Sequence, residues 1–301
     1  MHNKGILLLK MPVFFNFVII LSIFIFIWGW FSSSLVLKVP RLSLEINPAN
    51  FNLNFENITF QTVDDINING CFVYSKEKSD KTIIICHGWG ANLADVLPST
   101  VFLLKKNFNL LYFDFRNHGK SSGNVSSFGK LESIDVTTII EYLTKEKPNF
   151  SKKIGIYGIS MGGSVAILAV AQNEKISAVV VDSPFSSFNY IVARYAKLFY
   201  KIPKYPLVPI TFLFVKMRLG FDPNDFSAIR YVEKISPRPI FFIHGANDKR
   251  IPVSEGKKLY DMADSPKEFW QVVDANHIES YSKDPFEYEK RVGEFFRRYL
   301  K

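Results

Sequence analysis

Hydrophobic and polar positions fall into three regimes along the chain. In the first, no charged side chain occurs between Lys10 and Lys38, and residues 13–31 are apolar apart from Asn16 and Ser22. As a helix that stretch spans about 28 Å at roughly 1.5 Å per residue, close to the ~30 Å hydrocarbon core of a bilayer. Trp28 and Trp30 stand at its downstream end, where an interfacial aromatic belt lies. The pattern predicts a leader over 1–12, a transmembrane anchor over 13–31 and a connector over 32–55. A cleaved signal peptide is the alternative, with Ser32-Ser33-Ser34 as its small-residue site, although a secretory apolar core is only about 7–15 residues. Lys4 and Lys10 on one side balance Lys38 and Arg41 on the other, so flanking charge does not decide the orientation. A short leader before a single span favours the catalytic domain on the extracytoplasmic side.

In the second regime, from residue 56 onward, short β-type runs alternate with helical ones. Strands are predicted at 58–62, 68–74, 82–86, 110–115, 153–159, 176–181, 239–243 and 269–273. Helices are predicted at 93–106, 131–145, 162–172 and 286–300. The run TIIIC at 82–86 has no alternation at all, which marks a strand covered on both faces. Strand–helix alternation predicts an α/β domain, with a mostly parallel sheet and helices on both faces. The third regime breaks that alternation. Residues 186–238 hold helical stretches near 188–201 and 209–219, separated by Pro203, Pro206 and Pro209, and read as a lid inserted over the sheet edge.

Composition narrows the class. The chain has 301 residues, 48% of them hydrophobic and 22% charged, which excludes a disordered or low-complexity polymer. Two cysteines exclude a disulfide scaffold, and the five histidines show no HExxH or H-x₃-H spacing, so neither a metal nor a cofactor is expected. The net charge of +9 lies mostly in the lid, which carries nine basic and three acidic residues together with eleven Phe and Tyr. Basic and aromatic residues mixed on helices suit an anionic membrane surface. No nucleic-acid motif accompanies the charge, so no nucleic acid is expected. The bland alternative is a lid whose aromatics face the sheet and whose lysines are merely solvated.

Four ordered motifs carry chemistry. Gly158-Ile159-Ser160-Met161-Gly162 follows a buried strand and opens a helix, the setting a nucleophile elbow requires. His87-Gly88-Trp89-Gly90 closes the TIIIC strand. There the backbone N–H groups of Trp89 and Met161 would form an oxyanion hole. Asp248 and His277 each follow a later strand, giving the order Ser160, Asp248, His277. A serine hydroxyl is a weak nucleophile, so it needs a base to take its proton and an acid to hold that base in the right tautomer. Asp182, after another strand, is the alternative acid. His118 and His244 read as structural, and His87 as shaping the oxyanion turn. Cys71 and Cys86 are not expected to pair.

With these motifs the segment from about 56 to 301 resembles the α/β-hydrolase superfamily. It is similar to the single-anchor bacterial hydrolases grouped with the serine-aminopeptidase-like and monoacylglycerol-lipase-like branches. Asp114-Phe115-Arg116-Asn117-His118-Gly119-Lys120-Ser121 resembles that group's D-x-R-x-H-G-x-S turn, and Val181-Asp182-Ser183-Pro184 its strand end before the lid. The resemblance implies an eight-stranded sheet and a serine nucleophile, in contrast to the members that use Asp or Cys at the elbow. Hydrolysis of a small-molecule or lipid carboxylic ester is the expectation. A peptidase or amidase is the alternative among enzymes, and a non-catalytic binding protein the alternative outside them.

Overall fold

The computed structural model describes residues 4–41 and 46–301, with side chains described from residue 13. Residues 1–3 of the expected leader and 42–45 of the expected connector lie outside the described residues. The strands are β1 (Phe55–Gln61), β2 (Asn67–Val73), β3 (Lys81–Cys86), β4 (Asn109–Phe113), β5 (Lys153–Ile159), β6 (Ile176–Asp182), β7 (Ile240–Gly245) and β8 (Lys267–Val272). They form an eight-stranded sheet in the order β1-β2-β4-β3-β5-β6-β7-β8. β2 runs antiparallel to both of its neighbours, and the remaining pairs are parallel. The helices are α1 (Lys4–Leu37), α2 (Leu93–Thr100), α3 (Lys130–Glu146), α4 (Met161–Gln172), α5 (Phe188–Tyr200), α6 (Leu207–Leu219), α7 (Val253–Met262), α8 (Ser280–Lys283) and α9 (Pro285–Tyr299).

Side-chain alternation splits the apolar interior into two layers. Ile84, Ile156 and Val179 point to the side packed by α3 and α4, where Val136, Ile140 and Val165 meet them. Ile83, Ile85, Tyr157 and Val180 point the other way, toward Phe295 and Phe296 of α9. The central strands therefore have no solvent face, which is why they read as unbroken apolar runs. Sheet register also fixes the site. Cys86 pairs with Gly158, Ile159 with Asp182, Asp182 with Ile243, and Gly245 with Val272. The C-terminal ends of β3, β5, β6, β7 and β8 thus lie level along one sheet edge, and the loops that leave them converge.

Among the elements that differ from the sequence reading, three bear on the site. The helix expected at 93–106 is α-helical only to Thr100 and continues as a tighter 3₁₀ segment, Val101–Lys106, downstream of Pro98. α7 follows the Asp248 loop, where no helix was expected. α1 continues six residues past 31, through Leu37, so what reads as the start of a connector is helical. The cause is local. The hydroxyls of Ser32, Ser33 and Ser34 donate back to the carbonyls of Gly29 and Trp30, so the serines stay in the helix instead of breaking it. Leu37 is fully buried, and its carbonyl accepts from Asn117 Nδ2 (3.0 Å) and the Ser126 N–H (2.9 Å).

Candidate active site

Ser160 sits between β5 and α4 with φ 54° and ψ −117°, a backbone conformation that a non-glycine residue adopts only under constraint. The constraint comes from both sides. Its N–H donates to the Asp182 carbonyl (2.8 Å), and its carbonyl accepts from the Gly163 N–H (3.1 Å). The flanking glycines are steric requirements. A Cβ on Gly158 would lie 2.3 Å from the Gly162 carbonyl oxygen, and one on Gly162 would lie 2.3 Å from that of Cys86. The turn is therefore tight enough to press the start of α4 against the end of β3.

His277, on the loop after β8, bridges the other two residues. Its Nε2 is 3.0 Å from Ser160 Oγ, and its Nδ1 is 2.7 Å from Asp248 Oδ2. The other Asp248 oxygen accepts from the Arg250 N–H (2.9 Å) and the Ile251 N–H (2.8 Å). Burial alone would raise the Asp248 carboxyl. The imidazoles of His244 and His277 and the Ile251 N–H outweigh it and hold the group well below the usual carboxylate range. An ionised carboxylate only accepts, so the proton between Asp248 and His277 is on Nδ1. The Nε2 lone pair then faces the Ser160 hydroxyl. The two loops are joined to each other by the Asn247 N–H, which donates to the Ala275 carbonyl (2.9 Å).

Gly88 follows β3 and abuts Ser160, since a Cβ there would lie 3.4 Å from Ser160 Cβ. Gly90 has φ 74°, which turns the chain after Trp89. Met161 supplies the first N–H of α4, a group with no partner inside its own helix. The turn is held from beneath by His87. The Phe115 N–H donates to His87 Nε2 (2.9 Å), which places the imidazole proton on Nδ1 and directs it to the Gly88 carbonyl (2.8 Å). Complete burial keeps this histidine neutral by pushing its pKa down to about 4.

Asp182, the alternative acid, is occupied elsewhere. Its buried carboxyl accepts from Ser183 Oγ (2.8 Å), Tyr288 OH (3.0 Å) and Ser280 Oγ (3.2 Å), while burial raises its pKa. His244 lies near the end of β7, just before the Asp248 loop, with Nε2 2.8 Å from the Ile251 carbonyl and 3.6 Å from Asp248 Oδ2. The D-x-R-x-H-G-x-S turn is a brace. Asp114 accepts from the Leu93 N–H, the Lys120 N–H and Asn69 Nδ2. Arg116 pairs with buried Asp135 (2.7 Å) and with Asp64 (2.6 Å). Cys71 and Cys86 are free and buried.

A cavity of about 450 Å³ opens at Ser160 and His277. Its walls are largely apolar and come from the Gly88-Trp89 turn, α2, Phe128 and the lid residues Ile191, Val192, Tyr195, Phe199 and Val208. Four more wall residues, Trp28, Ser32, Leu35 and Val36, belong to α1, which the sequence reading assigned to an anchor and a connector. Their spacing at i, i+4, i+7 and i+8 gives one helical stripe and could have pointed to them. It is masked because apolar residues stand off the stripe as well, at Ile27, Trp30, Phe31 and Leu37.

The comparisons agree with the fold. A family described as serine aminopeptidase, S33, matches residues 77–216, from just before β3 into α6. The uncharacterised protein YqkD of Bacillus subtilis (strain 168) is 35% identical over 216 residues, 71% of this chain and 70% of that one. Protein bem46 of Schizosaccharomyces pombe is 29% identical, covering 73% of this chain and 69% of its own length. Among solved structures, the Pyrococcus furiosus esterase Pf2001 superposes with a TM-score of 0.75 at 30% identity, over 88% of this chain and all of that one. With a mostly parallel eight-stranded sheet and a serine at the strand–helix elbow, the chain belongs to the α/β-hydrolase superfamily and is a serine hydrolase.

Proposed function

We propose that the protein is a membrane-anchored carboxylic ester hydrolase in which Ser160, His277 and Asp248 form the catalytic triad. The observation that carries this reading is the unbroken path from Ser160 Oγ through His277 to Asp248 at the floor of an apolar cavity. As Ser160 Oγ attacks the ester carbonyl, His277 Nε2 takes the hydroxyl proton, and Asp248 stabilises the imidazolium that results. The carbonyl oxygen becomes an oxyanion held by the Trp89 and Met161 N–H groups, with the positive end of α4 behind it. His277 then passes its proton to the leaving alkoxide, so the alcohol departs and an acyl-Ser160 ester remains. Water, deprotonated by the same imidazole, releases the acid and restores the serine.

An ester fits better than the amino end of a peptide. Asp95 is the one carboxylate among the described lining residues, and it already accepts from the Asn92 N–H (2.7 Å) at the start of α2. A free ammonium group would have Asp95 as its sole acidic partner among the described lining residues, in competition with the Asn92 N–H. Comparing p-nitrophenyl esters with aminoacyl p-nitroanilides tests this: ester turnover should dominate, and faster anilide turnover would move the assignment to a peptidase.

Membrane attachment rests on α1. Residues 13–37 have mean hydropathy 2.3 and are mostly exposed, with Val13, Phe14 and Ile20 at 67–70%. Phe199, Tyr200 and Tyr205 of the lid are also exposed, beside Lys197, Lys201 and Lys204. Aromatics that stay half or more exposed, with lysines around them, suit an anionic bilayer surface better than a cover packed wholly onto the sheet. The burial of Ser32 and Ser33 supports reading α1 as retained, not cleaved. Cleavage there would strip wall residues from the cavity.

A further inference from the structure

Resting on the esterase reading, we propose that α1 is part of the substrate site: the stripe Trp28, Ser32, Leu35 and Val36 forms a wall of the cavity and sets the length of the hydrocarbon chain the enzyme accepts. A membrane tether needs no fixed relation to the active site, yet α1 is clamped to the lid along its last three turns. Trp28 Nε1 donates to the Leu207 carbonyl (3.1 Å), and the hydroxyls of Ser32 and Thr211 are 2.8 Å apart. The guanidinium of Arg218 donates to Ser33 Oγ (2.9 Å) and Ser34 Oγ (2.8 Å) and lies 4.7 Å over the Trp30 ring.

The approach of the two helices is close enough that a Cβ on Gly29 would fall 2.2 Å from the Phe214 ring. The lower end is fixed by the buried Leu37 and the two donors to its carbonyl. Together these contacts make the stripe a rigid wall facing the same space as Ser160 and His277. Upstream of it, residues 13–27 of the same helix are apolar and largely exposed over about 22 Å at roughly 1.5 Å per residue, most of the hydrocarbon core of a bilayer. The cavity is therefore bounded by the element that enters the lipid. A substrate suited to that arrangement is a single-chain amphiphilic ester whose polar end meets Ser160 and whose alkyl chain runs along α1.

The test uses the full chain in detergent micelles and two ester series: one varies the acyl chain on a fixed p-nitrophenyl leaving group, and the other varies the alkyl alcohol of an acetate. Leu35→Trp and Val36→Trp should cut kcat/KM for the longest chains by about tenfold or more while leaving the shortest within about twofold. Leu35→Ala should move the optimum the other way, toward longer chains. Opposite shifts from enlarging and shrinking one side chain are not produced by general damage to folding. The series that shifts identifies which end of the ester lies on α1. Equal losses at every length, or no change in either series, would overturn the proposal while leaving the esterase intact. A wild-type protein that turns over no ester would overturn the underlying reading instead.

Discussion

His277 Nε2 lies 3.0 Å from Ser160 Oγ, across 117 positions of sequence. The loops after β5 and β8 bring the two residues together, and the Asp248 loop after β7 fixes the imidazole between them. Groups arranged as one proton path act as a unit, so their removal is not additive. Ser160→Ala and His277→Ala should each lower kcat by several orders of magnitude, about 10⁴–10⁶-fold, and the double variant should be little worse than either. Steady-state kinetics on a soluble ester checks this. Multiplying losses would mean that the two residues act independently.

Much of this site was legible in the sequence because its chemistry sits at strand ends. A buried run such as TIIIC or KIGIYGI announces its own end, and the residue types that follow it are few. The sheet, the elbow, the HGWG turn and the Asp248 and His277 loops were read in that way. What escaped was information carried between elements. Ser32-Ser33-Ser34 looks like a break in hydropathy, but its hydroxyls are absorbed by the helix itself and by Arg218 and Thr211, 179 or more residues away. The wall formed by α1 has no local signal, since Leu35 and Val36 resemble every other apolar residue of the span. α7 was missed because Val253–Met262 is mostly polar, with Leu259 as its fully buried apolar side chain.

The elbow glycines make a second prediction. A methyl group on Gly158 or Gly162 would meet backbone at 2.3 Å, and backbone cannot swing aside as a flexible side chain can. Gly158→Ala and Gly162→Ala should each destabilise the fold by about 3 kcal/mol or more and displace Ser160. Thermal unfolding paired with ester turnover reads both effects. A variant with unchanged Tm and activity would show that the turn is looser than its geometry.

Buried histidines set a pH dependence of stability. Burial lowers His87 to about 4, and burial together with the nearby His87 lowers His118 to about 4. In the unfolded chain a histidine takes a proton near pH 6.5. Both folded-state values lie below that, so the unfolded state binds more protons between pH 6.5 and 4, and stability falls as pH drops through this window. Unfolding at pH 5 should take up about two protons from this pair, visible as a falling Tm from pH 6.5 to 4.5. A flat Tm across that range would contradict the burial of these rings.

The most direct measurement of the central claim is covalent labelling of the full chain with a fluorophosphonate, followed by mass spectrometry of the peptide that contains Ser160. Attack by an activated serine displaces fluoride and leaves a phosphonyl ester on that oxygen. One adduct is expected, on Ser160, lost in Ser160→Ala, strongly slowed in His277→Ala and accompanied by full loss of ester hydrolysis. An unlabelled wild type, or labelling and hydrolysis that persist in Ser160→Ala, would contradict it.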